Sequence, residues 1–230
     1  MSNGNNVWLK VLRGFAIALF GITILLTIIG GAGTVCLAFN AEKFQGFEAL
    51  IPYKWLYQIF VYIKFIIGFL GIYVTYTLIK GRKTSYRNAI ILLISGFLVA
   101  AAQMITSHIL RGKTLPVDIR FYVTLFTLII FLIIRIKSIW SKIDFSKEQS
   151  ISSQSTIISS AMLVMGIITL TTPMWAQSSH ITPSGENLVN VLAIPLMLVG
   201  TSLIVGSIAM LFYNIKKMKQ FSGELNFEKR

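Results

Sequence analysis

Four stretches of this chain run without a formal charge: residues 14–41, 88–110, 149–185 and 187–215. Each can hold a helix of about 20 residues, the length that crosses about 30 Å of hydrocarbon. Two further segments are nearly as clean. Residues 55–79 are apolar apart from Lys64, and residues 119–139 have a charge-free interval between Arg120 and Arg135. Hydrocarbon offers backbone groups no water, so each segment must satisfy its own hydrogen bonds, and a helix does this. Composition agrees. Of 230 residues, 55% are hydrophobic and 13% are charged, whereas soluble domains are about one quarter charged. A water-soluble globule and a disordered chain are thereby excluded, and the single cysteine, Cys36, excludes a disulfide scaffold.

The expected fold is all-α: a polytopic transmembrane helix bundle with helices near 12–31, 55–79, 88–110, 119–139, 156–176 and 188–213. Charge placement orients it. With six crossings, one side carries Lys10, Arg13, Lys80, Arg82, Lys83, Arg87, Arg135, Lys137, Lys142, Lys147, Lys216, Lys217, Lys219, Lys229 and Arg230. The other side carries Lys43, Lys54, Arg111, Lys113 and Arg120. Cytoplasmic loops are the basic ones, so both termini are expected in the cytoplasm and the protein in the cell membrane. Were the fourth segment not to cross, the bias would invert. Trp8 and Trp140 then fall at inner boundaries and Trp55 and Trp175 at outer ones, where amphipathic rings prefer to sit. The apolar run Phe15–Ile29 is long for a signal peptide, so the first helix reads as an uncleaved anchor. The net charge of +13 implies anionic lipid headgroups as partners rather than nucleic acid.

The polar stretch Ser146–Ser155 resembles a linker. It divides an expected four-helix unit, 1–145, from a transmembrane hairpin with a basic tail, 156–230. No internal repeat is visible. The phrases GGAGTVCLAFN (Gly30–Asn40), KWLY (Lys54–Tyr57), LIKGRK (Leu78–Lys83), LRGKTLPVDIRFYV (Leu110–Val123) and IWSKIDF (Ile139–Phe145) resemble those of a group of uncharacterised prokaryotic multi-pass membrane proteins. The resemblance covers roughly 8–145. It implies a membrane location, carries no activity, and leaves the hairpin as an addition.

Several residues are candidates for a ligand site. Gly30-Gly31-Ala32-Gly33-Thr34 is expected to unwind the first helix, since glycine costs about 1 kcal/mol in a helix interior relative to alanine. Amides freed at Gly31, Gly33 and Thr34 would then face an anion; the alternative is a close helix crossing followed by a turn. Lys64 lies near the midplane, with no carboxylate inside any span. It is either an anion-site cation, a structural donor to backbone carbonyls, or a snorkelling side chain. His108, Arg111, Asp118 and Arg120 flank the third outer connection. They form either an anion pocket or a girdle of snorkelling cations beside a helix-capping Asp118, with Pro116 in the same first turn. Gln103, Ser107 and Arg111 make a polar stripe that Thr124 and Thr127 can face. Cys36 is a candidate intermolecular thiol or a small buried residue. His180, Ser184 and Glu186 read as solvated surface.

No phosphate loop, HExxH motif, paired carboxylates or metal-ligand cluster is present in the sequence, so neither metal nor cofactor is expected. The first functional expectation is a non-catalytic accessory or assembly subunit working with membrane-protein partners. The second is a small transporter or channel-like protein for an anion or lipid headgroup, using Lys64, Arg111 and Arg120. The third is an outer-face enzyme acting on a lipid-linked substrate through His108, Arg111 and Asp118, which requires His108 and Asp118 within hydrogen-bond reach.

Overall fold

A computed structural model describes residues 3–43, 47–114, 117–143, 145–146, 151–176 and 186–227. Among the described residues there are helices and turns and no strand. The helices are α1 (Asn3–Asn40), α2 (Lys54–Ile79), α3 (Ser85–Arg111), α4 (Val117–Ile134), α5 (Lys137–Trp140), α6 (Ile151–Ala176), α7 (Leu188–Val191) and α8 (Ala193–Phe227), with 3-10 turns at Ala41–Lys43 and Glu48–Tyr53. Among the described residues, six segments are long and apolar enough to cross a membrane: Trp8–Asn40, Glu48–Ile79, Ser85–Arg111, Val117–Ile134, Gln154–Met174 and Ala193–Asn214. Six were expected.

Their boundaries depart from expectation in four places. α1 does not stop at the glycines but continues to Asn40. α4 ends at Ile134 rather than 139. There the backbone turns extended at Ile136, and the Arg135 guanidinium lies 4.5 Å from the Trp140 ring centre, a cation–π contact at the end of an apolar span. The second half of the expected linker, 151–155, forms the first turns of α6, because serine and glutamine tolerate a helix there; residues 147–150 lie outside the described residues. The last segment is split at Leu192 into α7 and α8, with Pro195 in the first turn of α8, where a missing N–H costs nothing.

Two helices end on glycines that need a left-handed backbone. Gly81 has φ 67°; its N–H donates to the Leu78 carbonyl and that of Arg82 to the Thr77 carbonyl, the paired closure of a Schellman cap. Gly112 has φ 64° and closes α3 with a single bond of 2.8 Å to the His108 carbonyl, the simpler left-handed cap.

The chain packs as two compact units. One comprises Met1–Leu19, Thr77–Ser85 and Phe131–Arg230. Its main feature is the α6–α8 crossing. A Cβ on Gly166 would stand 2.9 Å from the Gly200 carbonyl oxygen, and one on Gly200 would stand 3.1 Å from that of Gly166, so the two backbones touch. Small residues let membrane helices approach this closely, and polar side chains then bond across. Ser207 Oγ donates to the Ser159 carbonyl at 2.6 Å, and Ser155 Oγ donates to Asn214 Oδ1 at 3.1 Å. In the same unit Gly14 of α1 faces Thr156 of α6, and Arg13 lies 5.2 Å from the Phe145 ring centre.

The other unit comprises Phe20–Tyr76 and Tyr86–Ile130. Here α2 lies on α1 through Gly68 against Ile28 and Gly71 against Ile24. Thr23 and Thr127 join α1 to α4 through their hydroxyls at 2.8 Å. Ala38, Ala41, Leu50, Tyr57 and Val61 form a buried cluster at one end, with Phe47, Phe65 and Leu110 against it. Glu42 and Lys54 pair at 2.9 Å, and Gln58 donates to the Ala38 carbonyl. These contacts fix α1 and α2 in register around the residues described next.

Candidate functional site

Lys64 is 2% exposed and Arg120 is 5% exposed, so two formal cations are enclosed in the second unit. A charge at the centre of a membrane helix costs about 2.5–3.5 kcal/mol on insertion scales, and groups of this kind mark functional sites by default. Neither is paired with a described carboxylate. Like charges enclosed in one low-dielectric unit repel.

Both rest on the glycines of α1. The Lys64 stem lies against Gly31, where a Cβ would meet its Cβ at 3.4 Å, and the Arg120 stem lies against Gly30, where a Cβ would meet its Cδ at 3.6 Å. Lys64 Nζ donates to the Gly30 carbonyl at 3.1 Å and to Thr34 Oγ1 at 2.8 Å. Thr34 in turn donates to the Gly30 carbonyl at 2.6 Å. An ammonium has three donors, so one remains open. Arg120 spends Nη2 on the Gly96 carbonyl of α3 at 3.4 Å, while Nε and Nη1 are buried without a partner. Orphaned buried donors of a charged group are expensive.

Helix lengths give the depth. Taking 1.5 Å per residue, α1 runs about 15 Å beyond Gly30, α2 about 15 Å beyond Lys64 toward Lys54, and α3 about 22 Å beyond Gly96. α4 begins only about 4.5 Å beyond Arg120. Three helices therefore rise past the cations, and the fourth starts one turn above them. Arg120 does not snorkel from a span end as its sequence position suggests; its guanidinium turns inward to α3.

The glycine motif acts differently from expectation. α1 stays helical through Gly31, Gly33 and Thr34, so their amides belong to the helix ladder and form no anion cradle. Packing of Lys64 and Arg120 across the bare backbone offsets the low helix propensity of Gly30 and Gly31. Gly33 faces open space, with nothing within 4 Å of where an alanine methyl would stand. The carbonyl of Gly30, not its amide, serves the site.

The outer cluster does not converge. His108 is exposed, whereas Arg111, three residues on, lies half-buried with its guanidinium carbon 4.2 Å from the Phe47 ring centre. Asp118 Oδ1 accepts the Ile119 amide at 2.9 Å, a helix-start contact. Neither His108 nor Asp118 hydrogen-bonds to the other, so the geometry required of an outer-face enzyme is not assembled. The side chain of Cys36, with Pro116, His180 and Ser184, lies outside the described residues. The described residues hold no group of three or more His, Cys, Asp or Glu able to bind a metal.

The polar stripe on α3 faces inward and is longer than the sequence suggested. Gln103 and Ser107 are buried, Ser107 shares a 3.0 Å hydrogen bond with the Tyr57 hydroxyl, and Gln103 Oε1 has no partner. The stripe reaches back through Ala100 to Gly96, the residue whose carbonyl receives Arg120. Tyr57 and Gly96 were missed because one reads as an ordinary aromatic and the other as a lone helical glycine. The 4-3-4 spacing of Gly96, Ala100, Gln103 and Ser107 was the available signal. Thr124 and Thr127 are buried, and their hydroxyls return to the carbonyls of Arg120 and Val123; Thr124 lies against Gly96 of α3, whereas Thr127 meets Thr23 of α1.

No family model, curated protein or solved structure matches this chain.

Proposed function

We propose that this chain is a non-catalytic multi-pass protein of the cell membrane, with both termini in the cytoplasm, that holds an anionic group among α1–α4 as a binding or carrier protein. The observation that carries the reading is the pair of enclosed cations, Lys64 and Arg120, with two guanidinium donors left open and neither cation paired with a described carboxylate. An anion would satisfy those donors and remove the repulsion. The basic bias of the loops supports the orientation; in that orientation the pair lies in the outer half of the bilayer.

Purified full-length protein in mild detergent tests it. Thermal unfolding is followed against a panel of phosphate, carboxylate and halide salts at matched ionic strength. Binding to the folded state raises the midpoint by mass action. At least one anion raises it for the wild type and not for Lys64→Met or Arg120→Gln; a panel that moves all three proteins equally contradicts the reading.

A second reading, an accessory or assembly subunit, is favoured by α2. Its exposed side chains Trp55, Ile59, Tyr62, Ile66, Phe69, Tyr73 and Tyr76 recur at alternating steps of four and three, the spacing of a helix-pairing seam. Substituting Tyr62 and Phe69 by alanine would release a co-purifying membrane protein if the seam holds one, and leave the purified complex unchanged if it faces lipid.

A further inference from the structure

Resting on the anion-binding reading, we infer that the group held by Lys64 and Arg120 is a phosphate monoester or hydrogenphosphate, a dianion with three terminal oxygens. The open donors are the third ammonium hydrogen of Lys64 and the Nε and Nη1 groups of Arg120. They sit on side chains that pack on consecutive residues of α1. Three donor groups carried on two cations match three oxygens carrying two negative charges. A carboxylate or phosphodiester brings one charge and two free oxygens, and a halide brings no directional acceptors. Either leaves one enclosed cation uncompensated in a low-dielectric surrounding. Arg120 supplies a planar fork suited to phosphate and Lys64 a point charge, the usual division between these side chains. α4 begins one turn above the pair while α1 and α2 continue about 15 Å beyond it, so the α4 end is the short side of the bundle, from which a headgroup or a free ion would enter.

The test uses full-length protein in nanodiscs of zwitterionic lipid doped with either phosphatidate, a monoester, or phosphatidylglycerol, a diester. Retained lipid is counted after mild detergent extraction. A parallel arm titrates inorganic phosphate against chloride and acetate. Retention of phosphatidate at least about tenfold above phosphatidylglycerol, lost in Lys64→Met and Arg120→Gln and kept in the exposed-loop variant Lys113→Gln, supports a lipid monoester. Selective binding of inorganic phosphate with the same variant pattern supports a free phosphate. Equal retention of both lipids, or equal binding of acetate and phosphate, overturns the dianion inference while leaving anion binding intact. No binding in either arm overturns both. If Lys64→Met fails to accumulate, Lys64→Arg serves instead: it keeps the charge, and the inference requires it to keep the preference.

Discussion

Lys64 Nζ sits 3.1 Å from the Gly30 carbonyl oxygen, joining the middle of α2 to the glycine step of α1. The same carbonyl already accepts from Thr34 at 2.6 Å, so three groups meet at one point. Replacing Thr34 by valine keeps the shape and removes the hydroxyl. Hydrogen bonds to charged groups contribute about 1.5–3 kcal/mol. The expected outcome for Thr34→Val is a loss in that range, measured as a lower unfolding midpoint in detergent. An unchanged midpoint would show that Lys64 does not depend on Thr34.

Two glycines of the same unit should respond with opposite sign to alanine. Gly33 faces open space, so Gly33→Ala gains helix propensity of about 1 kcal/mol. Gly71 abuts the branched Ile24 side chain, whose Cγ1 would stand 2.6 Å and Cγ2 2.8 Å from the new Cβ. Ile24 is itself buried, so Gly71→Ala costs about 1–3 kcal/mol of overpacking. Parallel thermal melts check the pair of signs.

These cases mark how far the sequence could be read. Charge-free length located four of the six spans, because hydrocarbon thickness sets a hard minimum for a crossing helix; the other two were read through Lys64 and through Arg120 and Arg135, with the loop charges deciding the fourth. Helix ends were less legible. The glycine run looked like a break because propensity is local, whereas the stems of Lys64 and Arg120 that pack on Gly30 and Gly31 arrive from helices more than thirty residues away. Lys64 was recognised as unusual from charge alone. Arg120 was placed at a span end because nothing in its neighbourhood tells that α4 starts deep beside α3. The outer cluster looked coherent in sequence, yet His108 and Arg111 diverge: Phe47 captures Arg111, and His108 stays exposed.

The α6–α8 crossing is a further case that spacing could have revealed. Ser159 and Gly166 are seven apart, as are Gly200, Ser207 and Asn214, the period of a left-handed helix pair. In a Cys36→Ser background, Ser159→Cys with Ser207→Cys is expected to cross-link through a short bifunctional thiol reagent, since Ser207 Oγ lies 2.6 Å from the Ser159 carbonyl. Gly200→Leu should reduce that cross-link several-fold by forcing the backbones apart. A cross-link of equal yield would place the close approach elsewhere on the two helices.

Enclosure of Lys64 and Arg120 within a membrane-spanning bundle is tested most directly by cysteine labelling in intact cells, in a Cys36→Ser background. Single cysteines at positions 64, 83, 113 and 120 are exposed to a bulky, membrane-impermeant maleimide. The expected result is labelling at 113 from outside, labelling at 83 only after permeabilisation, and none at 64 or 120 in either condition. Labelling of 83 and 113 from the same side, or of 64 as readily as 113, would contradict the account.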